Sequence, residues 1–230
     1  MLILDHVPDL AALLGFMAGA WLWHSLASVQ RSIVAFLGVS AFCGAGQFLL
    51  HVTGYSTAWF GNVWDLSVLV ALTGACLNVM RSKSRYTISA LRCGGVTAWV
   101  TVNLLMGGLM VFNDDLSLAI YGILALSGAL LLSQFMDDSV RLMRKPEFIL
   151  GLVCLGAGLM DAINSISLSH YHSLGHSFVV NMMMARNAVW LLAYGMLTYS
   201  LTLEARKSRK GATIATENPH LPFLRMVTLP

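Results

Sequence analysis

The sequence contains the stretch Gly156-Ala-Gly-Leu-Met-Asp161-Ala-Ile-Asn-Ser-Ile-Ser167 within an apolar run of membrane-spanning length. A second such run contains Asn181-Met-Met-Met-Ala-Arg186-Asn-Ala-Val-Trp190. Asp161 and Arg186 are the acid and the base placed deep in these runs. A lone charge in hydrocarbon costs about 2.5–3.5 kcal/mol on insertion scales, so charges there pair or line a wet cavity. The two stretches therefore predict a membrane protein with a polar interior.

The composition agrees with this interpretation. The 230 residues are 57% hydrophobic and 11% charged, whereas soluble domains carry about 25% charged residues. The formal net charge of +3 does not indicate a nucleic-acid partner, because the basic residues lie between apolar runs, at membrane ends. The four cysteines fall inside apolar runs, where free cysteine behaves as a small apolar residue. The expected partner is therefore the lipid bilayer.

Seven apolar runs are long enough to cross the hydrocarbon core, which takes about 20 residues of helix. They predict an all-α fold, a polytopic seven-transmembrane-helix bundle within residues 1–203, with helices at about 8–28, 32–54, 62–81, 88–112, 116–136, 147–168 and 177–202. Pro8 and Pro146 begin helices in this assignment, where a missing N–H costs little. Residues 204–230 are basic and polar and predict a mostly disordered cytoplasmic tail.

Lysine and arginine occur in alternate links and set the orientation. The links after the first, third and fifth helices and the segment after the seventh are basic, whereas the links 55–61, 113–115 and 169–176 contain no Lys or Arg. This alternation predicts an outside N-terminus and a cytoplasmic C-terminus. The expected location is a cell membrane of the bacterial inner-membrane type.

Depth along the helices predicts that Asp161 and Arg186 meet. At 1.5 Å per residue, Asp161 lies about 10 Å below the outer boundary and Arg186 about 12 Å below it. Because their helices are consecutive, we expect an ion pair, either as a structural clamp or as part of a functional site. Trp190 follows Arg186 at i+4, so we also expect the guanidinium to rest on its indole.

Polar residues concentrate in the outer half of the predicted bundle. This asymmetry predicts a pocket open to the outside for a small ligand, ion or lipid, with hydrogen bonding between helices as the alternative. The candidate pocket residues are Gln47, His51, Asp65, Asn103, Asp161, Asn164, Arg186, Asn187 and Trp190.

Histidines suggest a divalent or transition metal as a second hypothesis, because imidazole and carboxylate are common metal ligands. The candidate ligands are His51, Asp65, His170, His172 and His176. Exposed loop histidines without a ligand, or a pH sensor, would give the same pattern.

Seven helices with an outside N-terminus resemble heptahelical receptors and microbial rhodopsins in architecture alone. A retinal Schiff base needs a lysine in the seventh helix, and the lysines at 83, 145, 207 and 210 all lie at cytoplasmic ends, so no retinal is expected. His172-Ser-Leu-Gly-His176 is similar in spacing to a motif of seven-helix metal hydrolases that cut lipid amides or esters. In those proteins the motif lies within the last helix, whereas here it precedes that helix.

Three functions follow as hypotheses. The first is a receptor-like binding or sensing protein, which is not an enzyme and signals through a cytoplasmic or membrane protein partner. The second is an intramembrane metal-dependent lipid hydrolase that uses His51, Asp65, His172 and His176. The third is an accessory or structural subunit of a membrane complex.

Overall fold

The computed structural model describes residues 6–54, 58–105, 114–135, 142–170 and 175–217. These residues form an all-helical structure, which confirms the predicted class. The helices are α1 (Val7–Trp21), α2 (Ser28–Thr53), α3 (Ala58–Ser67 and Thr73–Val79, joined by the π-helical turn Val68–Leu72), α4 (Ser82–Val100, continued by the π-helical turn Thr101–Leu105), α5 (Asp114–Ser133), α6 (Pro146–Ser169) and α7 (His176–Glu217).

Five helices in the described part of the chain are long and apolar enough to cross a membrane, namely α2 to α6. The chain is therefore a multi-pass membrane protein by length and composition. Helix α1 has 15 residues and is shorter than the other apolar helices. Helix α7 is long, but Asn181, Arg186 and Asn187 lower the hydropathy of its apolar part, and it is not among the five.

The first and last helices differ most from the predicted boundaries. Helix α1 ends at Trp21 instead of about residue 28, and a 3₁₀ turn at Trp23–Ser25 follows it. The Ser25 hydroxyl donates to the Leu22 carbonyl at 2.8 Å, and the Arg31 guanidinium lies 5.6 Å from the Trp23 ring centroid. Tryptophan and arginine of this kind are typical of a membrane interface, which accounts for the early end.

Helix α7 continues to Glu217, past the predicted end at 202, so the first part of the predicted tail is helical. Good helix formers dominate residues 203–210, and the next proline comes only at position 219. Residues 218–230, the rest of the predicted disordered tail, lie outside the described ranges. Both predicted helix-starting prolines are confirmed, Pro8 in the first turn of α1 and Pro146 at the start of α6.

Helix α7 closes the bundle, because it packs against α6 on one side and against α1 on the other. Helix α1 in turn packs against α2, and α2 against α3. Helix α4 lies at the periphery and contacts α5 and α3. Only 17% of its most apolar 18-residue stretch is buried. The six other helices therefore surround the space in which a site can form.

Glycines bring α5 and α6 into backbone contact. A Cβ added at Gly158 would lie 2.6 Å from the Ala125 nitrogen and 2.9 Å from the Tyr121 carbonyl oxygen. A Cβ at Gly128 would lie 2.7 Å from the Gly151 carbonyl oxygen. Small residues at such crossings let membrane helices approach closely, so these glycines fix the spacing of the two helices.

We predict that Gly158→Val destabilises the bundle, because its side chain meets backbone atoms that cannot yield. Overpacking of this kind costs about 1–3 kcal/mol. Thermal unfolding in detergent measures the loss. Gly156→Val is the matched control, since the added Cβ on the same helix would have no atom of another described helix within 4 Å. Equal melting temperatures for the two variants would contradict the prediction.

Candidate functional site

A cavity of about 740 Å³ opens between α1, α2, α3, α5, α6 and α7. Its mouth lies among helix ends, at His6, His51, Ala58 and Leu168. These ends are opposite the segments that carry the clustered Lys and Arg residues. Helix α4 contributes no residue to the cavity lining.

An ion pair between α6 and α7 lies in the wall of this cavity. Arg186 Nε donates to Asp161 Oδ1, and Trp190 Nε1 donates to Asp161 Oδ2 at 2.7 Å. The Asp161 side chain is 1% exposed and that of Arg186 is 30% exposed. The pair predicted from depth is thus confirmed, and its carboxylate has a donor on each oxygen.

The Arg186 guanidinium rests on a different ring from the one predicted. Its Cζ lies 5.3 Å from the Trp64 ring centroid, on α3. The expected stacking on Trp190 is wrong, because the Trp190 indole is turned to donate to Asp161. The two indoles meet edge to face with centroids 4.9 Å apart, so α3, α6 and α7 share one polar and aromatic contact.

Asp65 is the second buried carboxylate of the cavity, and it is 2% exposed. The hydroxyls of Ser117 and Tyr121 donate to its two oxygens. Both donors come from α5 at positions i and i+4, which lie on one helix face. Within the described ranges, Asp65 forms no ion pair with Lys or Arg. Its hydrogen bonds from Ser117 and Tyr121 thus come from neutral donors.

Asn164 lines the cavity one turn beyond Asp161 and is 8% exposed. Its Oδ1 atom is buried and has no hydrogen-bond partner in the described structure. A buried acceptor without a partner costs about 1–3 kcal/mol, so such groups normally bind water or a ligand. The cavity thus contains an acceptor that the protein itself does not satisfy.

The beginning of α1 adds a third carboxylate, from Asp9. His6 Nδ1 lies 2.8 Å from Asp9 Oδ2, and both residues line the mouth. Gly44 on α2 makes room for this carboxylate, since a Cβ there would lie 2.6 Å from Asp9 Cβ. The described lining residues include three carboxylates, at Asp9, Asp65 and Asp161, and one guanidinium, that of Arg186.

Eight of the nine predicted pocket residues line this one cavity, namely Gln47, His51, Asp65, Asp161, Asn164, Arg186, Asn187 and Trp190. The structure places the ninth, Asn103, elsewhere. It is buried in the π-helical turn of the peripheral helix α4, where its amide donates to the Trp99 carbonyl at 3.2 Å. Hydropathy gives the depth of Asn103 but not the direction in which it faces.

The candidate metal ligands do not come together. Within the described ranges, no group of three His, Cys, Asp or Glu side chains is arranged to hold a metal ion. His51 and Asp65 share the cavity, whereas His170 Nδ1 lies 3.0 Å from the Ser169 hydroxyl at the exposed end of α6. His172 lies outside the described residues. The metal hypothesis therefore receives no support from His51, Asp65, His170 and His176.

Aromatic residues of the cavity wall were missing from the predicted set. They include Trp64, Tyr121 and Tyr194. Helical spacing could have found Tyr194, since Arg186, Trp190 and Tyr194 recur every four residues on one face of α7. Trp64 is adjacent to Asp65 in sequence, but only the fold shows that its ring contacts Arg186.

No protein-family model matches this chain, and neither the curated proteins nor the solved structures include a significant match.

We predict that Asp161→Asn and Arg186→Gln each lower the stability of the protein in detergent by about 3–5 kcal/mol. Removing one partner leaves the other charge buried and unpaired. The double variant should recover much of this loss, because no lone charge remains. Thermal melts of the wild type, both single variants and the double variant give the coupling free energy.

The control cycle combines Asp115→Asn with Arg144→Gln, two exposed residues near opposite ends of the bundle. Their effects should be small and additive, since distant sites rarely couple. Additive losses at Asp161 and Arg186 as well would show that the ion pair does not contribute to stability.

Proposed function

We propose that the chain is a binding or sensing protein that takes up a small ligand in the cavity between α1, α2, α3, α5, α6 and α7. The observation that carries the proposal is the imbalance of hydrogen-bonding groups in the lining. Asn164 Oδ1 has no partner in the described structure, and Asp65 has no cationic partner there. A ligand that donates hydrogen bonds and carries positive charge would satisfy both groups.

The walls of the cavity support a small organic cation in particular. Trp64 and Trp190 meet edge to face, and the Trp190 and Tyr194 rings lie 5.3 Å apart. Aromatic faces attract ammonium groups by about 0.5–2 kcal/mol. A cavity of about 740 Å³ also lies in the size range of small-molecule sites. Arg186 already engages Asp161, and His6 engages Asp9, so Asp65 is the carboxylate left for the ligand.

We further propose that α1 and α7 also cross the membrane, which gives seven spans. The proposal rests on the alternation of basic and non-basic links, which supports a cavity mouth on the non-cytoplasmic side. The ligand would then enter from outside a bacterial-type inner membrane.

A signal would pass to a protein partner along α7. The distance from Arg186 to Glu217 is about 46 Å at 1.5 Å per residue, so one helix joins the cavity to the basic end. The described residues assemble no metal cluster, and the hydrolase hypothesis therefore stays a prediction from sequence alone.

For the topology, we expect reporter fusions after Ser56 and after Glu217 to report opposite sides of the membrane, with the second in the cytoplasm. The physical reason is the retention of Lys- and Arg-rich segments on the cytoplasmic side. A fusion after Arg144, in a basic link, serves as the control and should agree with the fusion after Glu217. Identical signals after Ser56 and Glu217 would refute seven spans in this orientation.

For the ligand, we expect tetramethylammonium or a primary alkylammonium to raise the melting temperature of the purified protein, and acetate or phosphate at equal concentration to leave it unchanged. Asp65→Asn should weaken ammonium binding about tenfold or more, since hydrogen bonds to charged groups contribute about 1.5–3 kcal/mol.

Asp115→Asn makes the same chemical change at an exposed position outside the cavity lining and should bind as the wild type does. Asn164→Ser tests the same site at a neutral position, in case Asp65→Asn lowers the yield of folded protein. Binding that is unaffected by both cavity variants, or a preference for the anions, would contradict the proposal.

A further inference from the structure

A second concave site lies at the opposite half of the bundle from the cavity. It is a groove of about 510 Å³ between α2, α3 and α4, near the ends that carry the basic clusters. Its polar lining consists of Ser32, Asn78, Arg85, Ser89 and Arg92. None of the described residues that line the groove is an Asp or Glu. The described lining of the groove therefore presents two positive charges and no compensating carboxylate.

Arg92 lies unusually deep for a cation without a counter-ion. It follows Ser82, the first residue of α4, by ten residues, which is about 15 Å along the helix. Within the described ranges Arg92 forms no ion pair, and its Nη2 donates to the Val70 carbonyl at 2.8 Å. Val70 belongs to the π-helical turn of α3. One carbonyl satisfies one of the five guanidinium N–H groups, which leaves donors for another partner.

Gly74 creates the space that this guanidinium occupies. A Cβ added at Gly74 would lie 3.3 Å from Arg92 Nη2 and 3.5 Å from Arg92 Cζ. Gly74 is one turn closer than Val70 to the basic end of the bundle. The guanidinium thus lies against α3 between Val70 and Gly74.

The polar residues of α4 in the groove lie on one face. Arg85, Ser89 and Arg92 are spaced i, i+4 and i+7, so their side chains form one line along the helix. Ser32 on α2 and Asn78 on α3 face this line across the groove. Guanidinium, hydroxyl and amide donors in such an arrangement are typical of sites that hold phosphate oxygens.

The groove is open on the side that faces hydrocarbon. Val70 lines it, is 39% exposed and lies within an apolar, membrane-spanning helix. Ala35 of α2 also lines the groove and is exposed. An acyl chain can therefore occupy the apolar part while a headgroup reaches the arginines.

From this arrangement we infer that the groove between α2, α3 and α4 binds the phosphate group of an anionic lipid through Arg85 and Arg92. The inference does not depend on the proposed ligand of the cavity, since the two sites share no lining residue. The second source of the same chemistry is a soluble phosphate, which the test below distinguishes from a lipid.

The test is native mass spectrometry of the full chain in detergent, titrated with phosphatidylglycerol and, in a parallel series, with phosphatidylcholine. We expect the wild type to retain phosphatidylglycerol in preference to phosphatidylcholine. Arg85→Gln and Arg92→Gln should each weaken retention about fivefold, since one basic residue near an anionic lipid contributes about 1 kcal/mol. Gly74→Val should also weaken it, because the side chain displaces the Arg92 guanidinium while both charges remain.

Arg144→Gln is the matched control, because it removes a basic residue near the same end of the bundle but outside the groove. It should retain phosphatidylglycerol as the wild type does. The Arg85 side chain is exposed, so Arg85→Gln should fold normally and keeps the test valid if Arg92→Gln does not. Equal retention by the wild type and Arg85→Gln would overturn the inference.

Inorganic phosphate provides the last arm. Millimolar phosphate could raise the melting temperature of the wild type but not that of the Arg85→Gln, Arg92→Gln double variant. If phosphatidylglycerol is then not retained, the lipid assignment is overturned in favour of a soluble anion. Absence of binding by both probes would overturn the site altogether.

Discussion

The ion pair between Asp161 and Arg186 is the constraint on which the arrangement of the bundle depends. A carboxylate that is 1% exposed among apolar helices has to be satisfied by the protein, and here α7 supplies donors for both oxygens. The same helix packs against α6 and α1 and thereby closes the ring. Stacking of the guanidinium on Trp64 extends the contact to α3. Charge, hydrogen bonding and closure of the bundle thus converge on one turn of α7.

The two concave sites have opposite chemical character. The described lining of the cavity is rich in acceptors, with three carboxylates against one guanidinium and an amide oxygen that has no partner among the described residues. The groove between α2, α3 and α4 presents two arginines among neutral donors. The two proposed ligands differ accordingly, an organic cation at one end of the bundle and a phosphate group at the other. Helix α3 borders both sites, through Asp65 in the cavity and Gly74 in the groove.

The sequence predicts how deep a residue lies along its helix, but not which way its side chain faces. Counting at 1.5 Å per residue was enough to pair Asp161 with Arg186, because the two helices are consecutive and each charge needs a partner. The same counting could not show that Asn103 belongs to a peripheral helix or that Arg186 rests on Trp64 instead of Trp190. The early end of α1 was missed because Trp21–Leu26 is apolar enough to continue a hydropathy window, although aromatic residues near an arginine are typical of an interface. Facing directions depend on packing between helices, which a single sequence specifies only indirectly.

The π-helical turn Val68–Leu72 has a consequence for how this protein can change over time. A turn of this kind holds one residue more than an α-helical turn, and each residue of an α-helix rotates the chain by about 100°. Loss of one residue from the turn would restore a regular helix and rotate Asp65 relative to Gly74, which lie on either side of it. Substitutions within the turn leave that relation intact, whereas a one-residue deletion or insertion removes one side chain or the other from its site. Homologous chains should therefore accept other apolar residues at the buried positions of Val68–Leu72 but only one segment length.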